Sequence, residues 1–470
     1  MQAIDNVINA ISGFLYQPFI VPLFLMAAGL FFTIRSGCLQ VTMFRQACKV
    51  IYEKPKDKNS ISSFGALMVS TASRVGTGNI VGVSTAICLG GPGAIFWMWL
   101  SAFLGGASAF VESTLAQIYK HRDEDGTSYG GPSYYIQDAL KQRWLGIVFA
   151  VAVLLTYAVG YNLLASYNLQ STFAAFSFYK EGVTPAIIGI ILAVLFGICV
   201  FGGAKRLTNV TGIMVPIMGV LYIIVSLIVL VINAGNIPAM FGKIFSDAFT
   251  LKAGLGGFSG SCIMYGIKRG LYSNEAGMGS APNAAATADV SHPVKQGLVQ
   301  MLSVFIDTLL ICSATALMCL STSVEPTADL SGAPYVQAAL QSVFGGFGPV
   351  FVALAMCLFA FTTLIGNYYY TEGCLRFIMK RKPGKGFMIG FRAFATAIVF
   401  IGAVVSAGLA WDAADLTQAI MVVVNIPCIL ILTKPAIDAL NDYRRQLKEG
   451  KDPEFNAKAA GIKQATDYWN

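Results

Sequence analysis

Apolar runs of about 20 residues, the length an α-helix needs to cross a hydrocarbon core, recur along almost all of this 470-residue chain. Inside lipid each run must satisfy its own backbone hydrogen bonds, and helices are the default at such lengths. The fold class expected is therefore an all-α polytopic membrane protein. Composition agrees, since 56% of the residues are hydrophobic and only 12% charged, too apolar a balance for a water-soluble domain. Spans are expected over roughly 14–34, 61–88, 92–119, 144–177, 184–201, 207–232, 253–280, 295–322, 347–378, 389–408 and 412–433, eleven transmembrane helices in all.

Charge sets an orientation for them. Segments 42–62, 120–144, 202–209, 281–297, 376–388 and 434–470 hold 24 of the 32 Lys and Arg, whereas the alternate segments 1–13, 89–91, 178–183, 233–252, 323–346 and 409–411 hold three. The positive-inside rule then places the N-terminus outside and the C-terminus inside. Adding or losing one span would destroy this alternation, so charge supports eleven as well as hydropathy does. Residues 434–470 are expected to be a solvated cytoplasmic tail, an amphipathic helix followed by a disordered end, and not a nucleic-acid arm. Gly131–Leu140 inside and Ala333–Phe344 outside read as interfacial helices. Met1 to Ser12 carries no basic leader pattern, so the first span is expected to be retained. Ten scattered cysteines with no C-x-x-C argue against a disulfide framework. The only histidines, His121 and His292, fall in loops, and neither H-E-x-x-H nor G-x-S-x-G occurs, so no metal centre and no enzymatic activity are expected.

Two spans interrupt themselves. The stretch from Ser70 to Asn79 is polar and Gly-rich in mid-span and ends in Gly76, Thr77, Gly78 and Asn79, and the stretch from Gly266 to Pro282 repeats the pattern. Unwound backbone at membrane depth is tolerated only where it faces protein or a cavity, which makes both segments candidate binding sites. With 14–34 set aside as an extra helix, the first broken span opens a run of five helices (61–232) and the second opens another (253–433) of opposite orientation. Such a pair points to a transporter, because half-helix N-termini offer free N–H groups to a carboxylate and freed carbonyls coordinate a cation. Close packing of small residues is the structural alternative for either segment alone.

At these residues the chain resembles the alanine/glycine:cation symporters, also called amino acid carrier proteins. The resemblance is carried by Arg74 to Val83, Gly90 to Trp99, Arg269 to Ala288, Val294 to Gly297, Phe305 to Thr308 and Tyr368 to Tyr370, and it extends over nearly the whole sequence. It implies the leucine-transporter (LeuT) fold, a five-plus-five inverted repeat, here preceded by one extra helix. It also implies sodium-coupled import of a small neutral amino acid, alanine, glycine or glutamine, by alternating access across the cell's inner (plasma) membrane. Proton coupling, and at a greater remove a channel, are the other readings. Sodium as coupling ion is the sole cofactor implied.

By position in that fold, the broken helices supply Gly76, Thr77, Gly78, Asn79, Tyr265 and Gly270 to the substrate, and the helices at 144–177 and 347–378 supply Ser166, Asn168, Thr363 and Asn367. The resemblance implies Thr362 as a sodium ligand with Thr363 shared between ion and substrate, together with backbone carbonyls near Arg74 to Thr77. Neutral oxygens at this density suit a small hard cation. Two positions depart from the family pattern: Asn367 stands where many members carry Trp, and Ser166 in Ser166-Tyr167-Asn168 stands where many carry Gln. Both changes shorten a pocket side chain and Asn367 adds a donor and an acceptor, which makes room for a larger polar substrate such as glutamine.

Charges inside spans are functional candidates by default. Arg74 and Glu275 adjoin the breaks and read as parts of an inner gate, with Arg74 expected to pair with a carboxylate. Asp307 and Glu112 read as structural groups paired with neighbouring backbone or hydroxyls.

Overall fold

The computed structural model describes residues 10–16, 20–55, 60–123, 126–250, 262–462 and 466–469. Within these residues helices dominate, and the strands are one short antiparallel ribbon in which β1 (His121–Arg122) pairs with β2 (Ser128–Tyr129). The chain runs from α1 (Val21–Arg35) into a helix broken in two, α2 (Ser63–Arg74) and α3 (Val83–Gly90). It continues through α4 (Ala94–Ile118), the short α5 (Pro132–Leu140), α6 (Arg143–Ala175), α7 (Thr184–Val200), α8 (Gly203–Ile232) and the peripheral α9 (Ile237–Ala248). A second broken helix follows as α10 (Cys262–Asn274) and α11 (Pro282–Ala285). Then come α12 (Pro293–Leu320), α13 (Ala333–Phe344), α14 (Phe347–Met379), α15 (Lys385–Val404), α16 (Ala407–Ile431) and α17 (Thr433–Lys448).

Seven of these, α4, α6, α8, α12, α14, α15 and α16, are long and apolar enough to cross a membrane, and α1, α7 and the continuous stretch Gly78–Gly90 are shorter apolar helices. Parts of two expected spans, 17–19 and 253–261, lie outside the described residues. Local sequence explains many helix starts. Ser62 caps α2 by accepting from Gly65 N at 3.0 Å, Ser406 caps α16, and Pro132, Pro185, Pro238 and Pro293 occupy first-turn positions where their missing N–H costs nothing. Along α7 and α8 the side chains Ile187, Ile190, Ile191, Val194, Ile213, Ile217, Val220 and Ile224 are exposed. A belt of β-branched residues facing outward is what a lipid-contacting surface requires.

Two packed layers meet around the breaks. α4 lies against α12, α10 and α1, while α14 lies against α6, α2, α13 and α8, and α7 packs on α15. Three helices carry π-helical turns at this depth, Gly78–Gly82 leading into α3, Leu154–Gly160 within α6 and Phe305–Cys312 within α12. Single π turns re-aim side chains and free backbone groups, and they concentrate at functional sites.

The end of the chain differs from expectation. α17 is amphipathic as anticipated, but the segment after it is packed, with Phe455, Ala457, Ile462 and Trp469 buried. Trp469 Nε1 donates to the Gln117 carbonyl at 2.6 Å, Phe455 N donates to Ser291 O at 3.0 Å, and Lys295 Nζ lies 2.7 Å from Glu53 and 2.9 Å from Asp452. Its apolar residues are irregularly spaced, so no helical or strand period announces them, and they fill a cleft that exists only once the bundle has formed.

Candidate functional site

The first break is confined to Val75–Thr77, between α2 and the π turn. Asn79 organises it: its Oδ1 accepts from Gly76 N at 2.7 Å, and its Nδ2 donates to Asp307 Oδ1 at 2.7 Å and to the Asp307 carbonyl at 3.2 Å. Thr77 Oγ1 lies 2.9 Å from Tyr272 OH and accepts from Asn168 Nδ2 at 3.3 Å, while Gly78 sits under the Tyr272 ring. Gly76 admits no side chain, since a Cβ there would lie 1.7 Å from Thr363 Oγ1. Glycine here is what lets the unwound backbone touch α14.

The second break is narrower than the sequence suggests, because α10 stays helical through Asn274 and only Glu275–Ala281 unwinds. Glu275 takes φ +55°, and Gly277 and Gly279 take φ +84° and +80°. Glu112 Oε2 accepts from Gly279 N at 3.0 Å and from Asn425 Nδ2 at 2.8 Å, and Oε1 accepts from Gly277 N at 3.4 Å, so a buried carboxylate stands in for the missing helical acceptors. As a consequence, two expected contributors lie elsewhere. Tyr265 packs on Gly90 at the end of α3, and Gly270 packs on Ser101 and Met98 of α4. Both belong to regular helix, where the backbone is already satisfied.

Of the two threonines, Thr363 faces the break and Thr362 does not. Thr362 Oγ1 donates back to the Leu358 and Phe359 carbonyls at 3.0 and 3.1 Å and points toward Met218 Sδ of α8, at 3.4 Å. Successive residues on a helix are about 100° apart, so only one of an adjacent pair reaches a given neighbour. The expectation that Thr362 joins the carbonyls near Arg74 to Thr77 is corrected accordingly.

Thr363 and Asn367 share one face of α14, a helical turn apart. Asn367 Oδ1 accepts from Ser73 Oγ at 2.8 Å, and its Nδ2 donates to Asn162 Oδ1 of α6 at 3.0 Å. Asn162, which the sequence analysis missed, lies one turn from Ser166. Four polar atoms of this group are buried without a partner: Thr363 Oγ1, Asn162 Nδ2, Ser166 Oγ and Asn168 Oδ1. Leaving a buried polar atom unpaired costs about 1–3 kcal/mol each, so a polar guest or water that met these four atoms would be stabilised there.

The carboxylates join the two breaks. Asp307 accepts from Asn79 of the first and from Ser273 Oγ, at the end of α10, at 2.9 Å, as well as from Thr308 Oγ1 at 2.8 Å. Glu275 accepts from Ser280 Oγ at 2.7 Å and lies 2.8 Å from Ser73 Oγ, whose single proton it shares with Asn367. Arg74 is fully enclosed and, among the described residues, has no carboxylate within 4 Å: Nη1 donates to the carbonyl and the side-chain oxygen of Gln300 at 3.2 and 3.3 Å, and Nε and Nη2 have no hydrogen-bond partner among those residues. The expected pairing of Arg74 with a carboxylate is thus replaced by a carboxamide.

The group is closed at both ends. On one side Asp415 of α16 binds Arg269 at 3.1 Å and Lys268 at 2.7 Å, the Arg269 guanidinium stacks on Trp411, and Trp411 packs edge-on to Tyr272. On the other, Ala288 bridges to Ile61, Gln117 Nε2 donates to the Ala285 and Ala288 carbonyls at 2.5 and 2.9 Å, and Lys120 Nζ donates to Ala288 O at 3.0 Å. Beyond this second closure a cavity of about 490 Å³ opens, bordered by Asn283, Thr287, Tyr369 and Arg376.

Comparison with known proteins accords with this arrangement. The family model described as "Sodium:alanine symporter family" matches residues 1–457. The putative sodium/proton-dependent alanine carrier protein YrbD of Bacillus subtilis is 45% identical over 463 residues, covering 95% of this chain and 93% of its own. The probable sodium/glutamine symporter GlnT of the same organism is 43% identical over 457 residues, covering 97% and 94%. Among solved structures, MhsT in complex with L-phenylalanine superposes with a TM-score of 0.60 at 12% identity, covering 83% of this chain and 93% of that one, a likeness that shows a LeuT-like fold. The chain is a multi-pass membrane transporter belonging to the sodium:alanine symporter family, whose members are cation-coupled amino-acid symporters.

Proposed function

We propose that this protein is a sodium-coupled symporter that carries a small neutral amino acid, alanine, glycine or glutamine, into the cell across the plasma membrane. The observation that carries this reading is the set of partnerless buried polar atoms, Thr363 Oγ1, Asn162 Nδ2, Ser166 Oγ and Asn168 Oδ1, gathered where Gly76 brings unwound backbone against α14. A zwitterion placed beside the breaks meets the hydroxyls of Thr363 and Ser166 and the carboxamides of Asn162 and Asn168, polar atoms that the fold leaves available to it. Sodium, the co-transported substrate, takes the Thr363 hydroxyl together with carbonyls of the last turn of α2. The two five-helix halves, 61–232 and 253–433, act as inverted repeats within an eleven-helix bundle whose C-terminus is inside. Arg74 and Glu275 serve the inner gate.

Coupling is electrogenic, because the amino acid has no net charge and each sodium ion moves one, worth about 2.3 kcal/mol at 100 mV. The test is uptake of labelled alanine, glycine and glutamine by proteoliposomes under imposed Na⁺, Li⁺ or pH gradients. Accumulation that needs Na⁺ and rises with an inside-negative potential is expected. Equal uptake driven by a proton gradient in sodium-free buffer would instead favour the second reading, proton coupling. That reading is motivated by Glu112, Glu275 and Asp307, buried carboxylates with no ion-pair partner among the described residues.

A further inference from the structure

We propose that the elbow between α5 and α6, together with the end of α14, forms a binding site for the phosphate of an anionic phospholipid headgroup. A pocket of about 390 Å³ opens there, on the basic side of the molecule, with Arg143, Arg376, Lys380, Arg381 and His121 in its walls and no carboxylate among its lining residues.

The cations are unequally compensated. Asp123 holds Arg376 at 2.8 Å and also Lys382, while Asp138 and Asp467 hold His121 at 2.8 and 3.1 Å. Arg143 is held by neutral groups, Gln137 and the Phe377 carbonyl, and neither Lys380 nor Arg381 has a carboxylate within ion-pair distance among the described residues. Three cations with no carboxylate partner among the described residues therefore converge on one concavity. Arg143 supplies guanidinium charge beside the end of α14, and Lys380 and Arg381 supply charge from the residues that follow that end.

The position selects a lipid over a free ion. Trp144, next to Arg143, is 63% exposed, and Val148, Val151 and Leu155 further along α6 are exposed too. An exposed indole at the foot of an apolar outward face marks the level of the headgroups, so the pocket lies where a lipid's phosphate lies. Arg376 stands between this pocket and the 490 Å³ cavity, which links the headgroup to the helix that carries Thr363 and Asn367.

The experiment measures binding of short-chain phosphatidylglycerol, short-chain phosphatidylcholine and inorganic phosphate to the purified full chain in detergent, by native mass spectrometry and thermal shift. The protein is compared with the triple variant Arg143→Gln, Lys380→Gln, Arg381→Gln and with Arg45→Gln, Lys49→Gln, Lys54→Gln, which removes the same charge from the short helix Phe44–Val50 and the residues after it. Phosphatidylglycerol is expected to bind at least about tenfold more tightly than phosphatidylcholine, and the first variant, unlike the second, to lose that preference. Single substitutions at Lys380 and Arg381 should each give part of the loss, which keeps the test readable if the triple variant is unstable. Equal binding of the two lipids, equal loss in both triple variants, or inorganic phosphate displacing phosphatidylglycerol at equal concentration would overturn the proposal.

Discussion

At the scale of single residues, Thr362 and Thr363 divide the work. The hydroxyl of Thr362 is spent on its own helix, whereas that of Thr363 is buried, partnerless and in contact with Gly76. Thr363→Val keeps the volume but removes the oxygen, and it should raise the half-saturating Na⁺ concentration by tenfold or more, taking a lost charge-assisted ligand as about 1.5–3 kcal/mol. Thr362→Val should change it less than about threefold. Uptake measured against Na⁺ concentration separates the two, and the opposite ranking would reassign the ion. Asn367 is the other residue with a sharp consequence, because it bridges Ser73 of the first broken helix to Asn162 of α6. Asn367→Ala leaves Asn162 Oδ1 without its donor in a closed space, while Ser73 keeps Glu275, and is expected to cost about 1–3 kcal/mol in substrate affinity. Competition by glutamine, alanine and glycine against one labelled substrate would reveal it, and glutamine should suffer most if the carboxamides read its side chain.

Among the elements, α14 and the packed end of the chain carry the clearest predictions. Gly366 brings α14 onto the first broken helix, where a Cβ would lie 2.5 Å from Ser73 N and 2.9 Å from Ser73 Cα. Backbone cannot yield as a side chain can, so Gly366→Ala should abolish uptake while leaving a protein that still inserts and runs as a single species on size exclusion. The end of the chain is held through Trp469 and through α17, where His292 faces Asp442 at 3.3 Å and also Tyr443, Phe455 and, through its charge, Lys295. Burial holds the His292 imidazole below its usual pKa against the pull of Asp442, while Asp442 is held below the usual carboxylate range mainly by its hydrogen bond with His292. A histidine whose folded pKa is depressed binds fewer protons than in the unfolded chain, so stability falls as pH drops below about 6.5. The Asp442 contribution is present above about pH 3.9 and does not change over that interval. Protection of amides in 449–462, taken relative to their intrinsic exchange at each pH, should therefore fall between pH 7.5 and 5.5, and His292→Gln should flatten that dependence. Trp469→Ala should release the same segment at both pH values.

For the molecule as a whole, the two breaks are joined through buried carboxylates and shut off from both sides. The closure at Asp415 holds two cations at once, both largely buried. Asp415→Asn leaves Arg269 and Lys268 without a countercharge, and destabilisation of about 3–5 kcal/mol is expected. Adding Arg269→Gln should recover much of it, which thermal unfolding followed by size-exclusion fluorescence can read. Recovery of stability without recovery of uptake would mean that the ion pair serves closure as well as folding.

The sequence alone determined the membrane class, the mostly helical fold and the existence of both breaks, because bilayer thickness and the need to satisfy backbone groups act on local composition. Gly76 and Thr77 were legible as a break for that reason, with Gly78 and Asn79 opening the π-helical turn that follows. Which hydroxyl of Thr362 and Thr363 meets the break was not, since adjacent residues on a helix differ only by rotation about its axis and neighbouring helices decide which side is inside. The same holds for Tyr265 and Gly270, whose Gly-rich surroundings resemble a break but belong to regular helix packed on α3 and α4. Asn162 lay in an apolar run that gave no sign of its partner on α14. Trp469 had no partner to predict until α4 and the loop after the second break made its cleft. Pairings across more than 200 residues, such as Asn367 with Asn162 or Asn79 with Asp307, are properties of the packed bundle, where a buried polar atom must find whatever partner the tertiary structure brings within 3 Å or so.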